Sequence, residues 1–154
     1  MFTHLLVPLD GSEMAERAAP VAIELARRWS ARVTLLHVIE RDPPAQVHGQ
    51  KHLGSSDEAR RYLEALAARL AGQDDRIDWH VHKQPTRDTA GGLGFHVEEL
   101  GGDLIVMCAH GGVRLRDRLM GNLGQQLAAQ VAAPILLLAE RRDSGECFPF
   151  RRIL

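Results

Sequence analysis

Residues 3–12 read Thr3-His4-Leu5-Leu6-Val7-Pro8-Leu9-Asp10-Gly11-Ser12, and residues 103–112 read Asp103-Leu104-Ile105-Val106-Met107-Cys108-Ala109-His110-Gly111-Gly112. Each passage carries an apolar run of strand length and then breaks into turn residues. The two runs share a pattern, Leu5-Leu6-Val7 against Leu104-Ile105-Val106. An apolar run without polar alternation marks a strand buried on both faces, as in a parallel sheet covered by helices. The fold then depends on whether the rest of the chain supplies those helices.

It does. Ser12 is placed to cap a helix, and Glu13 and Glu16 suit its positive end. Ala15, Ala18, Ala22, Ile23 and Ala26 recur at helical spacing, ahead of Arg27 and Arg28 in the last turn. Pro20 removes one helix hydrogen bond, so a kink or a distorted first half is expected. Residues 33–39 predict a second strand, rich in β-branched and Leu side chains. Residues 40–55, with Pro43, Pro44, Gly49 and Gly54, read as irregular, and a loop of that length is commonly a lid or flap. Ser55 and Glu58 have capping-box spacing, Ala59, Tyr62, Leu63, Leu66 and Leu70 mark one helical face, and Gly72 is placed to end it.

Ile77, Trp79 and Val81 alternate with Asp78, His80 and His82, which predicts a third strand with one wet face at a sheet edge. Residues 86–100 carry Gly91, Gly92 and Gly94, each costing a helix about 1 kcal/mol against Ala, so a late or interrupted helix is expected. Residues 104–107 read as a fourth strand, 122–131 as a helix and 135–138 as the last strand. The domain is expected to span residues 1–140. Residues 141–154 form a partly charged tail with Phe148, Phe150, Ile153 and Leu154.

Strands alternating with helices imply an α/β fold: one Rossmann-like domain, a five-stranded parallel sheet in the order 3-2-1-4-5 with helices on both faces. In such a sheet strands one and four flank the point where strand order reverses, and ligands bind outside the carboxyl ends there. The turns at residues 10–12 and 108–112 would face the same crevice.

Composition bounds the function. A chain of 154 residues is one domain's worth, and 45% apolar with 25% charged residues excludes a disordered chain or a coiled coil. No apolar run approaches the ~20 residues a membrane span needs. Residues 1–9 lack a basic leader, so no signal peptide is expected. Cys108 and Cys147 make no disulfide framework, which favours the cytoplasm. A net charge of −1 gives no field for nucleic acid or an anionic membrane, so neither is expected as a partner. Seventeen Arg against two Lys is read as genome composition first and phosphate recognition second.

The second turn carries the chemistry. Gly111 and Gly112 permit close backbone approach, Gly121 and Asn122 open a helix whose free N–H groups can hold an anion, and Arg114, Arg116 and Arg118 lie between. These features suit a phosphate chain. A plain strand–turn–helix connection with surface arginines fits the spacing equally well.

At this point the sequence resembles the universal stress protein family, whose signature is Gly-x2-Gly-x9-Gly-Ser/Thr. Gly111, nine intervening residues and Gly121 match it. So do Val7-Pro8-Leu9-Asp10-Gly11-Ser12, Leu36-His37-Val38, Asp103-Leu104-Ile105-Val106-Met107 and Pro134-Ile135-Leu136-Leu137-Leu138, over residues 1–140. Cys108 stands where the signature has its first glycine, and Asn122 where it has Ser or Thr.

The resemblance implies an adenine nucleotide, ATP or AMP, with or without magnesium. Asp10 would meet the ribose or a metal–phosphate group. Val38 would offer its backbone to the adenine edge, with Pro8, Leu9 and Met107 packing near the base. Gly111 and Gly121 would let phosphates approach the main chain, Asn122 and Leu123 would offer N–H groups, and Arg114 would reach the phosphates. The resemblance also implies a homodimer through residues 135–138 and a cytoplasmic stress-response regulator acting on an unidentified protein partner. A nucleotide-independent dimeric interaction module is the second reading, and a slow ATP hydrolase the third.

Other signals carry less. His80 and His82 share a strand face and could chelate a metal, and His48 and His52 would align on a helix, but spacing supplies no third ligand. His110 in the key turn, and Cys108 as a lowered-pKa thiol, gain no role from spacing. Gly91-Gly92-Leu93-Gly94 is not a dinucleotide fingerprint, and there is no Walker A sequence. No catalytic residue and no metal ligand is assigned.

Overall fold

In this computed structural model the two opening passages lie side by side: Leu5 pairs with Leu104 and Leu6 with Ile105 in parallel register. The structure describes residues 1–43, 45–47, 50–72, 76–109 and 122–139. Its elements are β1 (His4–Pro8), α1 (Glu13–Glu16), α2 (Ala18–Trp29), β2 (Arg32–Glu40), β3 (Gln46–Val47), β4 (Gln50–Lys51), α3 (Ser56–Leu70), β5 (Ile77–Thr86), α4 (Thr89–Glu99), β6 (Leu104–Ala109), α5 (Asn122–Gln130) and β7 (Ile135–Ala139).

The main sheet runs β5-β2-β1-β6-β7 and its pairings are all parallel. It is the Rossmann-like α/β sheet of order 3-2-1-4-5 that the alternating pattern implies. β1 is buried from His4 to Val7 because both faces are covered, and Pro8 at its end is partly buried. Leu5, Val7 and Leu9 pack with α2 and α3 residues such as Ala22, Ile23 and Leu63, while Leu6 packs with Leu93, Val97 and Leu127 of α4 and α5. Asp103 ties the starts of β6 and β1 together. Its carboxylate accepts from the Thr3 N–H at 2.7 Å, the Thr3 hydroxyl at 2.8 Å and the His4 N–H at 2.9 Å.

The first half of the helix after β1 is distorted as expected, but the break falls at Arg17, and Pro20 lies in the first turn of α2, where its missing N–H costs nothing. Three other local expectations change. α4 is continuous from Thr89, without the interruption its glycines suggested, because close packing takes the place of propensity. A side chain at Gly92 would put its Cβ 3.0 Å from Val38 Cγ1, so glycine lets α4 lie directly on β2. Residues 40–55 are not wholly irregular: β3 and β4 pair antiparallel, and Leu53 is buried in the core against Gly11. β6 runs on to Ala109, so Cys108 lies within the strand opposite Leu138 rather than in the turn.

β5 is an edge strand, as its alternation suggested, but its polar face is not simply wet. Ile77, Trp79 and Val81 pack toward α3, while His80 and His82 stand over α4 and are half-buried. Among the described residues no helix is long and apolar enough to cross a membrane.

Candidate functional site

β1 and β6 are hydrogen-bonded neighbours from which the chain departs to opposite sides, toward β2 and β5 on one and β7 on the other. Their carboxyl ends therefore flank the switch point, where an open α/β sheet leaves a crevice. The β1 end is built tightly. Gly11 turns at φ +90°, and the Asp10 carboxylate accepts the Ser12 N–H at 2.8 Å. The Ser12 hydroxyl in turn accepts the Ala15 N–H at 3.2 Å and caps α1. Asp10 is thus committed through Oδ1 to shaping the turn.

β2 outruns β1. The last register pair is Pro8 with Leu36, and the Leu9 N–H donates to the Leu36 carbonyl at 2.8 Å. Peptide groups alternate in direction along a strand, so Val38 turns its N–H and C=O to the same side as Leu36. That side is the space beyond the end of β1. A flat ring with donor and acceptor on one edge fits such a backbone segment.

The proposed base-contacting residues divide between the two faces. Val38 and Met107 lie on the α4–α5 face, and strand alternation puts Pro8 there with Leu6. Leu9 is buried on the opposite face, with Val7 and Leu53, and does not join them. Cys108 also packs on that opposite face, toward α2. Asn122 and Leu123 begin α5. Gly111, Gly112, Arg114, Arg116, Arg118, His110 and Gly121 lie outside the described residues, as do His48, Cys147 and the 141–154 tail.

Two buried histidines stand at this end of the sheet: His37, to which sequence reasoning gave no role, and His52, which it weighed only as a metal ligand with His48. His37 Nδ1 lies 2.6 Å from the Leu9 carbonyl, and His37 Nε2 3.3 Å from the Leu53 carbonyl. Burial pushes the His37 pKa down, against the backbone contacts and the Asp10 charge that pull it up. The ring is therefore neutral, with its proton on Nδ1 donating to Leu9. His52 stands 6.0 Å from His37, ring to ring, and its buried Nδ1 has no hydrogen-bond partner among the described residues. The one available signal was a histidine set in the apolar run Leu35-Leu36-His37-Val38-Ile39.

A second polar cluster lies across β2 from β1. His82 Nδ1 is 2.8 Å from His96 Nε2, and His96 Nδ1 is 2.7 Å from Glu99 Oε2. His80 stacks at a tilt on His96, with ring centroids 4.4 Å apart. Spacing had offered only His80 and His82; α4 supplies the rest.

A five-stranded parallel sheet of this order, with a tight acidic turn at its switch point and an overhanging second strand, defines a Rossmann-like α/β protein. The sequence profile of the universal stress protein family matches residues 1–139, and the chain belongs to that family. It is 30% identical over 143 residues to the universal stress protein Sll1654 of Synechocystis sp., covering 90% of this chain and 82% of that one. Among solved structures it resembles a universal stress protein in complex with cAMP, with TM-score 0.60 and 19% identity, covering 90% of this chain and 97% of the other. It also resembles the Archaeoglobus fulgidus universal stress protein in complex with dAMP, with TM-score 0.62 and 15% identity, over 89% and 97% of the two chains.

Proposed function

We propose that this chain binds an adenine nucleotide, ATP or AMP, at the crevice between the ends of β1 and β6 and acts as a cytoplasmic stress-response regulator. The observation that carries the reading is the overhang of β2. It turns the Val38 peptide groups toward the space beyond β1, on the face shared with Pro8 and Met107. The buried His52 Nδ1, on a ring 6.0 Å from that of His37, has no hydrogen-bond partner among the described residues and supports a polar ligand at this end of the sheet. The complexes of the two structural relatives with cAMP and dAMP support the choice of an adenine nucleotide.

The residues assigned to the ligand are Asp10 toward ribose or a magnesium–phosphate group, Val38 toward the adenine edge, and Pro8 and Met107 against the base. Gly111, Arg114, Gly121, Asn122 and Leu123 are assigned to the phosphates, and Leu9 acts through the turn it anchors. Ligand occupancy alters what the crevice margins offer a protein partner, to the extent that the nucleotide binds one state better than another. The molecule is proposed to dimerise through β7, whose leucines Leu136, Leu137 and Leu138 are only partly buried at the sheet edge.

The test is direct. Purified protein is denatured and any released nucleotide identified by mass spectrometry, then ATP and AMP are titrated into wild type and Gly121→Val. Released nucleotide, or binding that the valine abolishes, is the expected result. No carried nucleotide and no binding at millimolar ligand, where the free energy is only about −4 kcal/mol, would overturn it. Cys108, in the strand where the family signature has glycine, favours the second reading, a nucleotide-independent dimeric module. That module would retain the β7 dimer in light scattering while binding no nucleotide. ATP turnover lost in folded Asp10→Ala would instead favour a slow hydrolase.

A further inference from the structure

We propose that His80, His96 and Glu99 form a binding site for a divalent cation of the zinc class, with His82 as the residue that orients His96. The nucleotide crevice is not part of this site. Each of the three ligands offers one donor atom, and these atoms lie within 4.8 Å of one another. Two imidazoles and a carboxylate are a donor set for zinc, and such a set leaves a fourth position for water or a further ligand.

The fold brings these residues together for reasons that do not involve a metal. Parallel pairing of β5 with β2 places His80 opposite Leu36 and His82 opposite Val38, so both histidines share the face covered by α4. Gly92 lets α4 sit directly on Val38. One helical turn later His96 is buried against the β5 histidines. Glu99, three residues on, reaches back to His96.

The metal-free hydrogen bonds define the tautomers. The Glu99 carboxylate can only accept, so His96 Nδ1–H donates to it, and His96 Nε2 then accepts from His82 Nδ1–H. A cation held by His96 Nδ1 and the Glu99 oxygen requires the opposite tautomer, with His96 Nε2–H donating to His82 Nδ1. His82 is only half-buried, so its own proton can move to Nε2. The overall proton count is unchanged. His82 then does what outer partners of metal-bound histidines commonly do: it fixes the ring and its tautomer. The 2.7 Å separation of Nδ1 and Oε2 must open to roughly 3.3 Å, the spacing of tetrahedral ligands at 2.0–2.1 Å from zinc. Glu99 is exposed and at the end of α4, so it can make that adjustment.

Other features of the molecule point in neither direction. Burial lowers the pKa of His80 and His82, with the neighbouring His96 adding to it, so both rings are neutral near pH 7. Neutral imidazole is the form that ligates, but the surface geometry carries the case.

The experiment uses the full chain without a histidine tag. Zinc affinity is measured by competition with a chromogenic chelator, and coordination by the visible d–d bands of substituted cobalt. Wild type is expected to bind one equivalent and show the intense bands of a tetrahedral site. His80→Ala and Glu99→Gln are expected to lose those bands and at least tenfold in affinity, and His82→Ala to weaken binding by about 10–100-fold while keeping the bands. These three residues are partly or fully exposed, and circular dichroism confirms that the variants fold. Absence of zinc binding in wild type overturns the proposal. Binding left intact by both His80→Ala and Glu99→Gln also overturns it, since the cation would then sit elsewhere.

Discussion

His37 Nδ1 lies 2.6 Å from the carbonyl oxygen of Leu9, so a buried side chain of β2 holds the chain just past the end of β1 before it turns at Gly11. The contact joins the end of β1 to β2 where their ladder has ended, and it fixes the entry to the Asp10–Gly11 turn. Truncating His37 leaves the Leu9 carbonyl short of a donor in a dry setting, at a cost of about 1–3 kcal/mol. His37→Ala is expected to lower the unfolding free energy measured in urea by an amount in that range.

The same burial makes stability pH-dependent. His37 and His4 both have pKa values pushed below the ordinary 6.5 by desolvation. Arg32 lowers His4 further, against Asp103 and the Leu100 carbonyl; Asp10 opposes the shift at His37, and His52 adds to it. Because the folded values lie below the unfolded one, the stabilisation is complete above about pH 6.5. It is lost as pH falls from there toward the folded values, at no more than about 1.4 kcal/mol per pH unit for each histidine. Urea denaturation at pH 7.5, 6.5 and 5.5 should show that decline, and His4→Gln with His37→Gln should flatten it. A midpoint rising on acidification would contradict the neutral, buried assignment.

Gly11 and Leu53 are expected to be energetically coupled. A Cβ at Gly11 would sit 2.8 Å from Leu53 Cγ, at a backbone φ of +90° that L side chains rarely adopt. Gly11→Ala should cost about 1–3 kcal/mol from steric and backbone strain together. Leu53→Ala should cost about 2–5 kcal/mol as a buried truncation. The double variant should be less destabilised than the sum, because the shortened side chain gives the new methyl room. Strict additivity in chemical denaturation would place the whole cost of Gly11→Ala in the backbone.

How the sequence reads explains which of these contacts were foreseeable. β1 and β2 are legible as apolar runs, α3 because its apolar residues recur with the helical period, and the order of the main sheet because strands alternate with helices. Residues such as Ala59, Leu63 and Leu66 report their face without reference to anything distant. The turn after β1 is legible through Asp10-Gly11-Ser12, which is local. What fails to show is contact between periods. His96 meets His82, fourteen residues earlier, because a strand and the helix that follows it dock at a depth set by Gly92, and neither periodicity encodes that depth. The same glycines that argue against a helix by propensity are what place α4 against β2. Leu53 likewise gives no signal inside a loop rich in proline and glycine, since its partner is the space beside Gly11.

Asp10 can be divided into its two roles by chemistry. Its carboxylate accepts the Ser12 N–H at 2.8 Å, a bond that an amide oxygen can also accept. Asp10→Asn should therefore keep stability within about 0.5 kcal/mol, while Asp10→Ala should lose about 1 kcal/mol with the turn bond. If the carboxylate also meets the ribose or a magnesium-bound phosphate, both variants should lose at least tenfold in ATP affinity by calorimetry. Wild-type affinity in Asp10→Asn would confine this residue to the turn.

Zinc should stabilise the fold as well as bind it. β5 is an edge strand held by β2 alone within the sheet, and a cation on His80, His96 and Glu99 would fasten it to the last turn of α4. A ligand bound only by the native state adds about 2.7 kcal/mol at a hundred times its Kd. For a domain of this size each kcal/mol raises Tm by about 2–4 °C, so a rise of about 5–10 °C is expected. Glu99→Gln, with at least a tenfold loss of affinity, should lose about half of that rise or more while melting close to wild type without metal, since its side chain is 49% exposed. An equal rise in wild type and Glu99→Gln would show that zinc stabilises the protein through other residues.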